Sequence, residues 1–203
     1  MRRSLRFLAA AVLLGVVLGP AAARAQEFDN DVRLRIAGYF PFGLPTDVGT
    51  MWGLEVRNLL TARDGMAYGI YFFDEQRTDF IDLNYGGTPT VFTFHADVKM
   101  TPVLISWFHI WPMRSVTLFA GVGAGLYPVK AFSGGYSETA GVQIKDFGDF
   151  RYLEDETLIG AHVYGGIDFF PDSRFGLSAE ARFHLVENSY SAAEASLAGI
   201  FRF

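Results

Sequence analysis

Phe175-Gly176-Leu177-Ser178-Ala179-Glu180-Ala181-Arg182-Phe183-His184-Leu185 is the stretch that decides the fold. Odd positions are apolar, and the even ones between them are small, polar or charged. A period of two is the signature of a β-strand with unlike faces, because successive side chains leave a strand on opposite sides. The same alternation runs through Val32–Phe40, where Arg33 and Arg35 fall between apolar residues. It recurs where Phe92, Phe94, Ala96, Val98 and Met100 alternate with Thr93, His95, Asp97 and Lys99. It recurs again where Ala195, Leu197, Gly199, Phe201 and Phe203 face away from Glu194, Ser196, Ala198, Ile200 and Arg202. Weaker versions near 50–61, 66–74, 115–127 and 156–170 bring the total to eight strands. Each is close to the roughly 9–11 residues that a tilted strand needs to cross a bilayer. The fourth is longer, from about 91 to 110 through Thr101-Pro102. Proline removes a ladder donor, so a kink or bulge is expected there.

The connections alternate as well. Short turns are expected at Thr61–Gly65, Trp111–Ser115 and Pro171–Ser173, longer loops at 41–49, 75–90 and 128–155, and a modest one at 187–192. Short turns at one end and long loops at the other are the layout of a transmembrane barrel, and termini on one side require an even strand count.

Residues 1–25 read as a cleaved secretory signal peptide. Arg2, Arg3 and Arg6 precede the apolar run Leu8–Leu18, and Ala23-Arg24-Ala25 supplies the small-x-small cleavage pattern. Residues 26–203 form one domain, the barrel. Of 17 basic residues the leader takes four, leaving 13 against 22 acidic ones, a net charge near −9. Nucleic acid is thereby excluded as a partner, because it demands a concentrated basic surface. The absence of cysteine excludes disulfides, thiolate metal sites, a thiol nucleophile and N-terminal lipidation. Half the residues are apolar and 16% are aromatic, yet no stretch after the leader nears 18 consecutive apolar residues, which excludes helical membrane spans.

Alternation alone does not say whether the apolar face meets a core or lipid, and a soluble periplasmic lipocalin-like binder shares the pattern. Three features place lipid outside. The non-apolar face of 117–125 reads Thr117, Phe119, Gly121, Gly123, Gly125, which suits a crowded lumen. Aromatics gather at strand ends (Tyr39, Phe40, Trp52, Phe72, Trp107, Trp111, Tyr127, Phe169, Phe170, Phe175), as interfacial girdles do. The last strand stops on Phe203. The expected fold is therefore all-β, a single eight-stranded antiparallel up-and-down transmembrane β-barrel.

The ending Ala195–Phe203 resembles the C-terminal assembly signal of outer-membrane barrels, with Leu197, Gly199, Phe201 and Phe203 in its alternating positions. The stretch from Thr101-Pro102-Val103-Leu104 to Gly121-Val122-Gly123-Ala124-Gly125 resembles the central hairpin of small OmpW- and OmpA-like barrels. This resemblance implies the outer membrane of a Gram-negative bacterium, insertion by the barrel-assembly machinery, and contact with outer-membrane lipids and lipopolysaccharide as a monomer. Such families include structural, receptor, small-solute and enzymatic members, so it assigns no activity.

With lipid outside, Arg33, Arg35, Glu55, Arg57, Asp97, Lys99, Asp168, Glu180, Arg182, Glu194 and Arg202 are expected to face the lumen, with Arg35 near Glu55 and Arg33 near Arg57. Buried charges must be paired, and an eight-stranded barrel is only wide enough for its own side chains. A lumen plugged by ion pairs follows, with a structural or surface-interaction role. One alternative is a lateral conduit for small apolar molecules through the kinked wall at Thr101-Pro102. A lipid A hydrolase would need His184, Glu194 and Ser196 as base, orienting carboxylate and nucleophile, but no His-x-Ser pair of the deacylase kind is present. His162, His184 and Glu180 make a partial metal-ligand set without local spacing. Gly121–Gly125 lacks the spacing and strand–turn–helix setting of a dinucleotide loop. No cofactor, metal or catalytic residue is expected.

Overall fold

The computed structural model describes residues 30–42, 48–85, 88–139, 142–146, 152–187 and 190–203; the leader expected at 1–25 lies outside them. Ten strands follow in chain order: β1 Asn30–Pro41, β2 Gly49–Leu59, β3 Asp64–Tyr85, β4 Thr88–Met100, β5 Val103–Pro112, β6 Val116–Thr139, β7 Val142–Asp146, β8 Tyr152–Phe169, β9 Phe175–Val186 and β10 Ala192–Arg202. Eight staves make the wall, with β4 and β5 as two halves of the fourth and β7 attached only to β6. Pairing is antiparallel throughout, and β10 returns to β1 from Asp31↔Arg202 to Pro41↔Ala192, so the barrel closes.

The break at Thr101-Pro102 inserts no residue. Phe73↔Met100 and Ile70↔Val103 keep one register across it, so the ladder is interrupted without a bulge. Two hydrogen bonds stitch the gap: Tyr71 N–H donates to Pro102 O (2.9 Å) and Thr101 N–H donates to Pro128 O (3.0 Å). The short turns are built locally. At the first, Leu60 and Thr61 N–H donate to Asp64 O, while Thr61 Oγ1 accepts from the N–H of Arg63 and Asp64. At the third, Phe170 takes a left-handed conformation (φ 58°) and accepts from Ser173 N–H.

Two expected loops are largely strand. β3 and β4 run through most of 75–90, and β6, β7 and β8 occupy most of 128–155. Apolar–polar alternation fades there because water meets both faces, which removes the pattern while leaving backbone pairing intact. From Phe73 to Tyr85, β3 pairs with β4, and β4 pairs with β6 from Thr90 to Met100. β6 in turn pairs with β8 up to Ser133↔Tyr152. The long-loop end thus carries a sheet that continues one side of the wall.

The outside of the wall is apolar. Leu34, Ile36, Val122, Ile159, Val163, Leu177, Leu185 and Leu197 are all more than half or about half exposed. Aromatics ring the short-turn end (Trp107, Trp111, Phe169, Phe170, Phe175, Phe201, Phe203), while Phe40, Phe42, Trp52 and Phe183 lie toward the other. A continuous apolar exterior of this size is unstable in water, and a hydrocarbon surrounding is what it fits. Tyr39 and Tyr127, read as girdle residues, instead point into the lumen and are fully buried.

Candidate functional site in the lumen

The lumen is layered. Toward the long-loop end Tyr39, Met51, Phe73, Val98, Met100, Leu104, Tyr127, Val129, Leu158 and Val186 form one apolar cluster. Toward the short-turn end Ala67, Phe108, Phe119 and Tyr164 form a second. Charged side chains from β1, β2, β8, β9 and β10 lie between and beside them.

Alternation puts these charges inside; register decides which of them meet. β1 and β2 pair as Arg33↔Glu55 and Asp31↔Arg57, two residues from the expected register but on the expected face. Arg35 still reaches Glu55 on the diagonal (Nη1–Oε2 3.1 Å), and its Nη2 donates to Glu180 (2.7 Å), Glu194 (3.0 Å) and Ser196 Oγ (2.5 Å). Arg33 and Arg57 do lie near each other, over the same Phe119 ring, and carboxylates hold both. Arg33 grips Asp168 with Nη1 and Nη2 (2.8 and 2.7 Å) and Asp31 with Nε and Nη2 (2.8 and 2.9 Å). Arg57 donates to Glu55 (2.6 Å) and Glu180 (2.9 Å), with its guanidinium 4.2 Å from the Phe119 ring centre. Arg182 joins Glu180 and Glu55 (both 2.9 Å) and Tyr71 Oη (3.0 Å), and Tyr71 O–H donates to Glu55 at 2.5 Å. Four arginines thus meet Glu55, Asp168, Glu180 and Glu194, all of them buried. Charge-assisted pairs of this geometry, several of them forked, are the strong kind.

Arg202 stands apart at the short-turn mouth, where Nη1 donates to the carbonyls of Phe170 (2.9 Å) and Ser173 (2.7 Å) and pins the third turn. Beside it a recess of about 260 Å³ is lined by Asp31, Arg33, Arg57, Phe108, Asp168 and Arg202, among others.

Asp97 and Lys99 do not enter the lumen. Val98 and Met100 take the inward positions, while Lys99 is 48% exposed and pairs outside with Asp74 (3.2 Å) and Asp97 (3.5 Å). The physical reason is their height in the wall. Beyond the lipid-facing band the outside is water, so charge turns outward and apolar residues fill the lumen.

Sequence reasoning puts Phe119 on the lumen face but misses the partners Tyr71, Tyr164, Ser106 and Ser178, and it takes Tyr127 for a girdle residue. Alternation carries the face of a residue but not its distance to a partner. His184, wholly buried, places Nε2 3.0 Å from Glu194 Oε2 and Nδ1 3.0 Å from Tyr127 Oη. A carboxylate only accepts, so Nε2 carries a proton; in the neutral ring Nδ1 then accepts from Tyr127 O–H. Ser196 turns away to Arg35 and to Glu180 O, so the trio with His184 does not assemble. A different Ser–His pair exists, Ser106 Oγ 2.7 Å from His162 Nε2, but both residues are buried and His162 Nδ1 meets no partner among the described residues. His162 and His184 are directly opposite in register with ring centres 6.0 Å apart. Among the described residues no group of three metal-ligating side chains forms.

Gly121 and Gly123 make room for these rings. A Cβ at Gly123 would lie 2.2 Å from Ile105 O and 2.6 Å from the His162 ring; one at Gly121 would lie 2.5 Å from Trp107 O and 2.6 Å from Tyr164. Leu197, Gly199, Phe201 and Phe203 face outward at the end of the chain.

No family model matches the chain, and neither does any curated protein. Solved structures do. Neisserial surface protein A is 15% identical with a TM-score of 0.59, over 86% of this chain and 97% of that one. The attachment invasion locus protein Ail of Yersinia pestis is 16% identical with a TM-score of 0.54, over 88% of this chain and 100% of that one. Likeness at this level is likeness of fold, and the fold is that of the small eight-stranded outer-membrane barrels.

Proposed function

We infer that the protein is a monomeric, non-conducting barrel of the Gram-negative outer membrane that acts at the cell surface, through the sheet it holds beyond the lipid. The observation that carries this reading is the lumen: four arginines, four carboxylates and two apolar clusters pack one another across it. A solute path would have to break several buried ion pairs, each costing a few kcal/mol when one partner is lost. The apolar exterior with its aromatic rings supports the location.

Two other readings draw less support. A lateral conduit at Thr101-Pro102 faces the two stitching hydrogen bonds and the side chains of Met100, Leu104 and Tyr127 packed behind them. Lipid A hydrolysis draws little support from the two serines nearest the lumen histidines, since Ser196 is bonded to Arg35 and Ser106 is buried with His162. Cleavage after Ala25, insertion through the assembly machinery by the Leu197–Phe203 signal, and contact with lipopolysaccharide belong to the same proposal.

The test combines membrane fractionation, gel mobility with and without boiling, and planar-bilayer recording of the refolded protein. Outer-membrane location, a boiling-dependent shift and no single-channel steps are expected. Reproducible conductance would overturn the filled lumen, and a soluble periplasmic protein without the shift would overturn the location.

A further inference from the structure

Among the described residues, the sheet beyond the lipid ends in a strand paired on one side only. Up to Phe73, β3 pairs with β2 on one side, but from Asp74 to Tyr85 its pairing among the described residues is with β4 alone. The direction of its free groups follows from one hydrogen bond. Tyr71 N–H donates toward the β4–β5 side, and the register runs unbroken to Tyr85↔Thr88. Backbone groups alternate sides along a strand, so the odd N–H groups of β3 face β4. Those of Gln76, Thr78, Phe80 and Asp82 face outward, away from β4.

An unprotected edge of this length is a template for another strand, and proteins that do not use such edges blunt them. The opposite edge is blunted at its base, where Ile159 N–H donates to the Glu187 carboxylate (3.2 Å). The β3 edge shows no such cap among the described residues. Its composition is acidic, with Asp74, Glu75, Asp79 and Asp82 against Arg77, and the opposite edge carries Glu154, Asp155 and Glu156. Two acidic edges repel each other, which disfavours edge-to-edge pairing between copies of the chain and selects for the opposite charge.

We propose that the Asp74–Tyr85 edge of β3 docks an extended, basic polypeptide segment by strand addition. Main-chain hydrogen bonds to the outward N–H and C=O groups supply the attachment, and lysine or arginine side chains meeting the acidic edge supply the selection. The proposal rests on the surface-acting reading above, but its test is independent of conductance.

The probe is a fluorescein-labelled peptide of roughly ten residues alternating lysine and threonine, titrated by anisotropy onto the full barrel in phosphatidylcholine nanodiscs, with empty nanodiscs as the blank. Saturable one-to-one binding is expected, weakening by about tenfold or more between about 0.05 M and about 0.5 M salt. A glutamate–threonine peptide should bind at least about tenfold more weakly. The double variant Gln76→Pro, Phe80→Pro removes two outward donors without touching the β4 ladder, and should lose binding by a similar factor while keeping its boiling-dependent gel shift. Amide exchange on the parent provides a second reading, with the N–H groups of Gln76, Thr78, Phe80 and Asp82 slowed by bound peptide. Equal binding of the acidic peptide, undiminished binding by the folded double variant, or no slowing of those four amides would overturn the proposal.

Discussion

Replacing Arg33 by methionine keeps most of the side chain's apolar stem and removes its charge. The geometry sets the size of the effect. Arg33 holds Asp168 in a two-bond fork of 2.8 and 2.7 Å, and both side chains are nearly out of contact with solvent. Hydrogen bonds to charged groups contribute about 1.5–3 kcal/mol each, and removing one member of a buried pair costs about 3–5 kcal/mol because its partner stays behind uncompensated. A loss of about 3–5 kcal/mol is therefore expected for Arg33→Met, and a comparable loss for Asp168→Leu. The double variant should return to within about 2 kcal/mol of the parent, since Asp168 is then not stranded and only the part-buried Asp31 loses its Arg33 partner. Reversible urea unfolding in phospholipid vesicles, followed by the fluorescence of Trp52, Trp107 and Trp111, measures all three. Single variants within about 1 kcal/mol of the parent, or a double variant as weak as the sum of the singles, would refute the lumen electrostatics argued here.

Other outcomes follow from particular contacts. Gly123→Val should fail to give the compact band on unboiled gels, because its side chain would meet Ile105 O and the His162 ring, whereas Gly199→Ala should fold normally, with nothing within 4 Å of the added methyl. Lys99→Ala should change stability by less than about 0.5 kcal/mol, since the ion pair with Asp74 is exposed on both sides. In the first turn, the His109 ring hydrogen-bonded to Asp64 (2.9 Å) holds that carboxyl below the usual carboxylate range. A depressed folded value means the contribution is present above the ordinary range and is lost as pH falls through the lowered one. Carboxyl NMR should show Asp64 titrating upward, toward an ordinary aspartate, in His109→Ala; an unmoved titration would remove His109 as the cause.

The barrel was legible because lipid and lumen impose opposite demands on neighbouring residues. Wherever both demands act, as in Phe175–Val186 and Ala192–Arg202, alternation located the strand and its faces. Where water replaced lipid, the demand vanished, so 75–85 and 128–139 read as loop and Asp97 and Lys99 were placed on the wrong face. The charged layer was legible as a set of inward residues, but its partners were not. A two-residue difference in the β1–β2 register keeps every face and changes every neighbour, and the meeting of Arg35 with Glu194, or of Ser196 with Arg35 rather than His184, depends on strand stagger around the whole barrel.

The origins of the charged layer along the chain have a consequence for assembly. Arg33 and Arg35 come from the first stave, whereas Asp168, Glu180 and Glu194 come from the last three. A nascent sheet holding only the early strands has three lumen arginines, Arg33, Arg35 and Arg57, with only Asp31 and Glu55 to meet them, so exposing that sheet to hydrocarbon is costly. Seam closure between the first and last strands completes the wall and cancels this charge in the same event. The charged layer is therefore complete only when the cylinder is: the finished barrel holds these charges paired, and a sheet short of its last three staves cannot.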